Sequence, residues 1–319
     1  LNTNEVQPMC FAQRSLRILV ALTLVAAASM ARAADSKTIT VLSVDHASIC
    51  GSDLDAMQAA FSDAGLKPDY GGPHTTGGTQ MAFVGFDDGS YLELIAPQSP
   101  GSAEASPWGK FLAANAGPCA WAVSSDDVQK EVERLKAAGL PTDGPMKGSR
   151  KRPDGLAIEW LTAQVGSGTP GSSLPFVIED RTPRDWRVQT SASVKESPVA
   201  GIDLVVLAVN DMKTSVDQFR KAYGWSEPLT ENHGEFGAKM AYFPGEPVLL
   251  VAPIDNKSWI NERLQKFGET PVALLLAAQN FDLANKKYRL SGTKTWFGQR
   301  VAWFDPNKLK GVRLGVIGR

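Results

Sequence analysis

The feature that most constrains this chain is a fourfold internal repeat. Each copy has an apolar, β-rich run, then Asp, an apolar residue, six more residues, a large apolar residue and a nearby Gly. The first copy is TITVLSVDHASI followed by Asp53-Leu54, Phe61 and Gly65. The second is CAWAVSS followed by Asp127-Val128, Leu135 and Gly139. The third is GIDLVVLAV followed by Asp211-Met212, Phe219 and Gly224. The fourth is PVALLLAA followed by Asp282-Leu283, Leu290 and Gly292. Runs rich in Val, Ile and Leu suit buried strands. The Asp suits a helix N-terminus, as a cap or first-turn residue that accepts from free N–H groups. Apolar positions one and eight residues after it share one helix face. The Gly supplies the left-handed stop. Each copy therefore opens strand–helix.

Two further runs flanking a turn follow each helix. They are QMAFVGF and SYLELIAP, LAIEWLTAQV and LPFVIED, KMAYF and PVLLVAP, and RVAWFD and VRLGVIG. Each copy thus reads β-α-β-β-β, with a short second strand. His74-x3-Gly78-x2-Met81 in copy one matches His233-x3-Gly237-x2-Met240 in copy three, so the copies group as two pairs. The polar stretch Arg181–Pro198 lacks apolar periodicity and reads as the connection, with the linker proper at 188–199.

At 319 residues the chain has the length of about two domains. Its 33 basic and 34 acidic residues leave net charge −1, which excludes the electrostatic footprint of a nucleic-acid binder. Residues 14–33, RSLRILVALTLVAAASMARA, read as a secretory signal peptide: a positive start, a short apolar run and a small-x-small site at Ala31-Arg32-Ala33. Met9 is a natural start, and residues 1–33 are set aside as leader. The expected location is periplasmic or secreted, with no stable membrane span after cleavage, as a monomer or homodimer. Cys50 and Cys119 remain, and export makes a disulfide between them chemically feasible.

Paired βαβββ modules resemble the vicinal oxygen chelate superfamily, and the first half is similar to its glyoxalase-like domains. The matching residues are Val44-Asp45-His46, Gly71-Gly72-Pro73-His74, Asp88-Gly89-Ser90-Tyr91-Leu92-Glu93-Leu94, Gly148-Ser149-Arg150, Arg152-Pro153-Asp154-Gly155 and Pro175-Phe176-Val177-Ile178-Glu179. The resemblance implies an α+β fold: four modules paired into two glyoxalase-like domains, 34–187 and 200–319. Mixed curved sheets would form a cleft, with helices outside. It also implies a divalent metal (Zn, Fe, Mn, Ni or Mg) held by one residue from strand one and one from strand four of each module. The implied activity is that of a lyase, isomerase or related enzyme on a small oxygen-rich molecule. A non-catalytic binding protein of the same fold is the alternative.

His46 takes the strand-one ligand position and Glu93 the strand-four position of module one. In module two, Ala120 stands where His46 stands, eight residues before the first helical apolar residue, and cannot ligate. Glu179, near the end of the fourth strand, is the remaining ligand candidate, so the set is incomplete. In the second half, Leu204, Leu249 and Leu275 occupy the corresponding positions, and no metal is expected there. Glu93 and His46 are the catalytic candidates. Glu93 lies in an apolar run where burial without a partner is costly. His74, Tyr91, Trp121, Arg150, Arg152 and Glu159 are the substrate-binding candidates. The arginines would act as a clamp for an anionic group, or else as a solvated basic loop.

Overall fold

The computed structural model describes residue 1, residues 40–75 and residues 78–318. The leader reading of 1–33 falls almost wholly outside the described residues. Among these, no helix is long and apolar enough to cross a membrane.

The first half contains strands β1 (Val44–Cys50), β2 (Asp69–Pro73), β3 (Thr79–Gly85), β4 (Tyr91–Pro97), β5 (Gly117–Ser124), β6 (Thr142–Lys151), β7 (Ala157–Val165) and β8 (Phe176–Asp180). They form one mixed sheet in the order β2-β3-β4-β1-β5-β8-β7-β6. Within each module the first strand runs parallel to the fourth, and β1 pairs antiparallel with β5 to join the modules. The second half repeats the pattern with β9 (Val199–Ala208), β10 (Leu229–His233), β11 (Ala238–Tyr242), β12 (Val248–Pro253), β13 (Thr270–Ala278), β14 (Ser291–Trp296), β15 (Gln299–Trp303) and β16 (Leu314–Gly318), in the order β10-β11-β12-β9-β13-β16-β15-β14. The second strand is short in three modules, but β6 runs over ten residues. It pairs along most of β7 and carries an irregularity between Asp143 and Met146.

Four helices follow the first strands: α1 (Leu54–Asp63), α3 (Val128–Ala137), α5 (Met212–Tyr223) and α7 (Phe281–Tyr288). The repeated acids cap three of them: Asp53 accepts from Ala56 N, Asp127 from Lys130 N and Asp211 from Thr214 N. In the fourth, Asn280 caps and Asp282 sits in the first turn. Gly224 ends α5 in the left-handed conformation, φ 73°, where a side chain would be strained. Three further helices are α2 (Gly109–Ala113), α4 (Arg184–Arg187) and α6 (Trp259–Phe267).

Strand alternation divides the sheet faces. Ala47, Ile49, Leu92, Leu94, Trp121 and Val123 face an apolar core that continues through Val205, Leu207 and Phe219 of the second half. Main-chain and side-chain bonds tie the halves, among them Arg134 Nη1 to Ala222 O (2.6 Å) and Ser90 Oγ from Ile202 N (3.0 Å). The opposite face of the second sheet is solid: Leu204, Val206, Leu249 and Leu275 pack against Phe236, Trp296 and Val301. The corresponding face of the first sheet is hollow. A disulfide links Cys50 on β1 to Cys119 on β5, with Cα atoms 5.9 Å apart, inside the range a bridge requires.

Candidate functional site

A cavity of about 320 Å³ lies within the curve of the first sheet. The sheet nearly closes on itself there, through an antiparallel bridge between His74 and Arg150. His46 and Ser48 on β1 point inward two residues apart, as do Tyr91 and Glu93 on β4. The parallel register places Ser48 beside Glu93 and His46 beside Tyr91.

Glu93 is 7% exposed. Ser48 Oγ donates to its Oε2 at 2.6 Å. His46 Nε2 stands 3.8 Å from Oε2, and His74 Nε2 stands 3.6 Å from Oε1. His74 is therefore turned inward; its Nδ1 bonds Thr79 Oγ1 at 2.9 Å. Burial drives the His74 imidazole below its ordinary pKa, the Glu93 charge opposing and the Arg150 and His46 charges adding. His46 stacks on Tyr91 with ring centroids 4.8 Å apart, and the edge of Phe176 meets it at 5.3 Å.

Behind His46 lies a buried ion network. His46 Nδ1 is 2.6 Å from Asp45 Oδ1, so the carboxylate orients the ring and leaves Nε2 facing the cavity. Arg187 Nη1 and Nη2 donate to Asp45 at 3.0 and 2.8 Å. Arg187 also bonds Asp180, and its Nη1 reaches Tyr91 Oη at 2.9 Å. Arg184 completes the cluster on Asp45. Burial, the largest single influence, would raise the Asp45 pKa; the Arg187 charge, the bonds from His46 and Arg187 and the His46 charge together outweigh it and hold the carboxyl far below the usual range. Burial pushes the Tyr91 phenol up.

Of the candidates from sequence, His46, Glu93, His74, Tyr91 and Arg150 line the cavity. The other four do not. Trp121 is fully buried on the opposite face, in the shared core, with its indole N–H on Ser173 O. Glu159 is exposed, and its neighbour Trp160 takes the inward position. Glu179 accepts from Val128 N at 2.9 Å at the start of α3 and from Arg181, while Ile178 faces the cavity. Arg152 pairs with Asp154 at 2.8 Å outside the cavity. Glu159 and Glu179 each differ from a cavity residue by one strand position, and Trp121 lies between Ala120 and Ala122, which pack with the cavity residues Phe176 and Ile178; a shift of one position reverses the face. Arg152 lies just beyond β6, where Arg150 is the inward residue.

Three cavity contributors carry weaker signals. Ser48 follows from alternation two residues after His46. Trp108, just before α2, lines the mouth. Arg187 sits in a stretch that reads as linker; its signal is the pair Arg184 and Arg187, three apart on one turn of helix.

The metal positions implied by the resemblance can be tested by register. Ala122 pairs with Phe176 as Ser48 pairs with Glu93. The module-two counterparts of His46 and Glu93 are therefore Ala120 and Phe176, and neither has a donor atom. His46, His74 and Glu93 converge, but Ser48 occupies one Glu93 oxygen and the Arg150 cation lines the same space. Among the described residues no group of three His, Cys, Asp or Glu forms a metal-holding set. The residues do not fit the superfamily's metal.

The profile of a glyoxalase-like domain matches residues 44–223. A solved structure described as a hypothetical protein from Staphylococcus aureus shares 13% identity over 88% of this chain and 100% of its own, with TM-score 0.59. A methylmalonyl-CoA epimerase from Mycobacterium tuberculosis shares 22% identity over 39% of this chain and 90% of its own, at TM-score 0.35. A Streptomyces coelicolor methylmalonyl-CoA epimerase in complex with 2-nitronate-propionyl-CoA shares 20% over 38% and 97%, at TM-score 0.34. Curated protein sequences yield no match. With the profile spanning more than half of it, the chain belongs to the glyoxalase-like domain family of the vicinal oxygen chelate superfamily.

Proposed function

We propose that the cavity binds a small oxygen-bearing molecule and moves a proton at the carbon beside its carbonyl, without a metal. The observation that carries this is Glu93: a buried carboxylate facing a hollow, with a hydroxyl at 2.6 Å and two imidazole nitrogens at 3.8 and 3.6 Å. Glu93 would take the proton. His46, held by Asp45 and Arg187, would present Nε2 as the second proton-handling group. His74, kept neutral by burial, would donate a hydrogen bond or accept one. The test is exchange of α-hydrogens for deuterium, followed by NMR on a panel of small ketones and thioesters in D2O with the disulfide-intact protein. Exchange that Glu93→Gln abolishes supports the reading. No exchange across ligands that demonstrably bind rejects it.

A second reading is a non-catalytic binding protein, favoured by the donor-free Ala120 and Phe176. Ligand binding with no exchange supports it. We also propose that the protein works outside the cytoplasm. The sequence of residues 14–33 and the Cys50–Cys119 bridge support this. Fractionation with and without the leader tests it.

A further inference from the structure

One buried cation in the cavity has no carboxylate partner among the described residues. Arg150 is 3% exposed. Its Nη1 donates to Gly71 O and its Nη2 to Arg187 O, two neutral carbonyls. These use two of the five guanidinium N–H donors. Arg187, equally buried, contrasts with it, being answered by Asp45 and Asp180. A buried charge without a counter-ion is costly. Arg150 lines the same cavity as Glu93, whose charge acts on it. The hollow therefore holds one buried cation and one buried carboxylate that face the same space without touching; Arg187, answered by Asp45 and Asp180, and the exposed Lys147 also line it. Its remaining walls are mostly apolar: Met81, Ile95, Trp108, Trp160, Phe176 and Ile178.

We infer that Arg150 is the oxyanion-holding group of this cavity, taking the role that a metal ion has in the superfamily, and that its substrates are uncharged carbonyl compounds with an aryl or alkyl body. The inference rests on the acid–base reading for its chemistry. The α C–H bond breaks and its proton passes to Glu93. The electron pair forms a C=C bond, and the carbonyl oxygen becomes an enolate oxyanion beside the guanidinium. The negative charge moves from Glu93 to that oxygen, so the cavity's net charge is unchanged and no oxidant or reductant is needed. Return of the proton regenerates Glu93. A ligand already carrying a carboxylate would add a second negative charge beside Glu93 in an apolar-walled space whose one buried cation without a carboxylate partner is Arg150, and is disfavoured. The apolar walls require a ligand with apolar surface to cover them.

The test uses two probes of one shape: 4-phenyl-2-butanone, a neutral ketone, and 3-phenylpropanoate, its carboxylate counterpart. Affinities are measured at pH 7.5 by calorimetry for the wild type and Glu93→Gln. Arg150 is left intact, because its substitution would also disturb Gly71 and Arg187. The wild type is expected to bind the ketone at least tenfold more tightly than the carboxylate. Glu93→Gln leaves Arg150 uncompensated, so carboxylate affinity should rise at least tenfold and the preference should reverse. Carboxylate affinity unchanged by Glu93→Gln would overturn the inference and leave Arg150 a strut for two carbonyls. Failure of both probes on both proteins overturns the substrate class. Binding needs no turnover: charge reversal without deuterium exchange would reject the acid–base reading and keep Arg150 as the anion-binding group.

Discussion

Substituting Arg187→Met probes the network behind the site most severely. The Arg187 side chain is 3% exposed and that of Asp45 1%. Methionine preserves much of the volume but removes two bonds to Asp45, two to Asp180 and one to Tyr91. Removing one partner of a buried ion pair costs about 3–5 kcal/mol, because the other charge stays buried. Asp180 is partly exposed and can turn to water, and Asp45 keeps Arg184 and His46. The lower end applies, about 3 kcal/mol. At about 2–4 °C per kcal/mol for a chain of this size, the melting temperature should fall by roughly 6–12 °C. Calorimetry and urea unfolding measure it. The double variant Asp45→Asn/Arg187→Met removes the stranded charge, so it should lose less than the two single losses added, by about 1–3 kcal/mol of coupling. A fall below about 2 °C for Arg187→Met, or strict additivity, would show that the network does not depend on mutual neutralisation.

Three other outcomes are expected. Placing the module-one ligand types in module two, as Ala120→His/Phe176→Glu, should create stoichiometric uptake of a divalent ion after dialysis, measured by elemental analysis, where the wild type retains none; equal uptake by both proteins would refute the register equivalence. Because the folded-state pKa of His74 is depressed below 6.5, the unfolded chain binds more protons below that value. The stability linked to His74 is therefore complete above pH 6.5 and lost as pH falls through the folded value, and His74→Gln should flatten the slope of urea midpoint against pH below 6.5. Reducing the Cys50–Cys119 bridge, which spans 69 positions, should cost about 2–4 kcal/mol in urea unfolding, and no change on reduction would show the bridge is not formed in solution.

His46 and Glu93 were legible in the sequence because the repeat fixes equivalent positions and strand alternation fixes the face. The same reasoning failed where the register slipped by a single residue. Read from sequence, Trp121 shares Ala120's face, Glu159 Trp160's and Glu179 Ile178's; in the fold each lies on the other side. Polarity misled in the last two cases: a carboxylate in a strand looks functional, yet Glu159 is solvated and Glu179 caps a helix. In the sequence Arg150 and Arg152 are equivalent arginines of one basic loop. Only the pairing of β6 with β7 shows that Arg150 points inward while Arg152 lies beyond the strand. Arg187 meets Asp45 across 142 positions, a contact to which local pattern is blind.

The sequence by itself determined the four copies, their strand–helix order and the acids that start the helices. Those features depend on periodicity and capping, which act over a turn of helix or a few strand residues. The tertiary structure decided which sheet face became core and which became cavity. It also filled the second half's hollow with Leu204, Leu249, Phe236 and Trp296. And it brought Asp45, Arg187, Arg150 and Glu93 to one small volume. Charges assembled from distant segments answer to burial and to one another, and burial exists only once the sheets have closed.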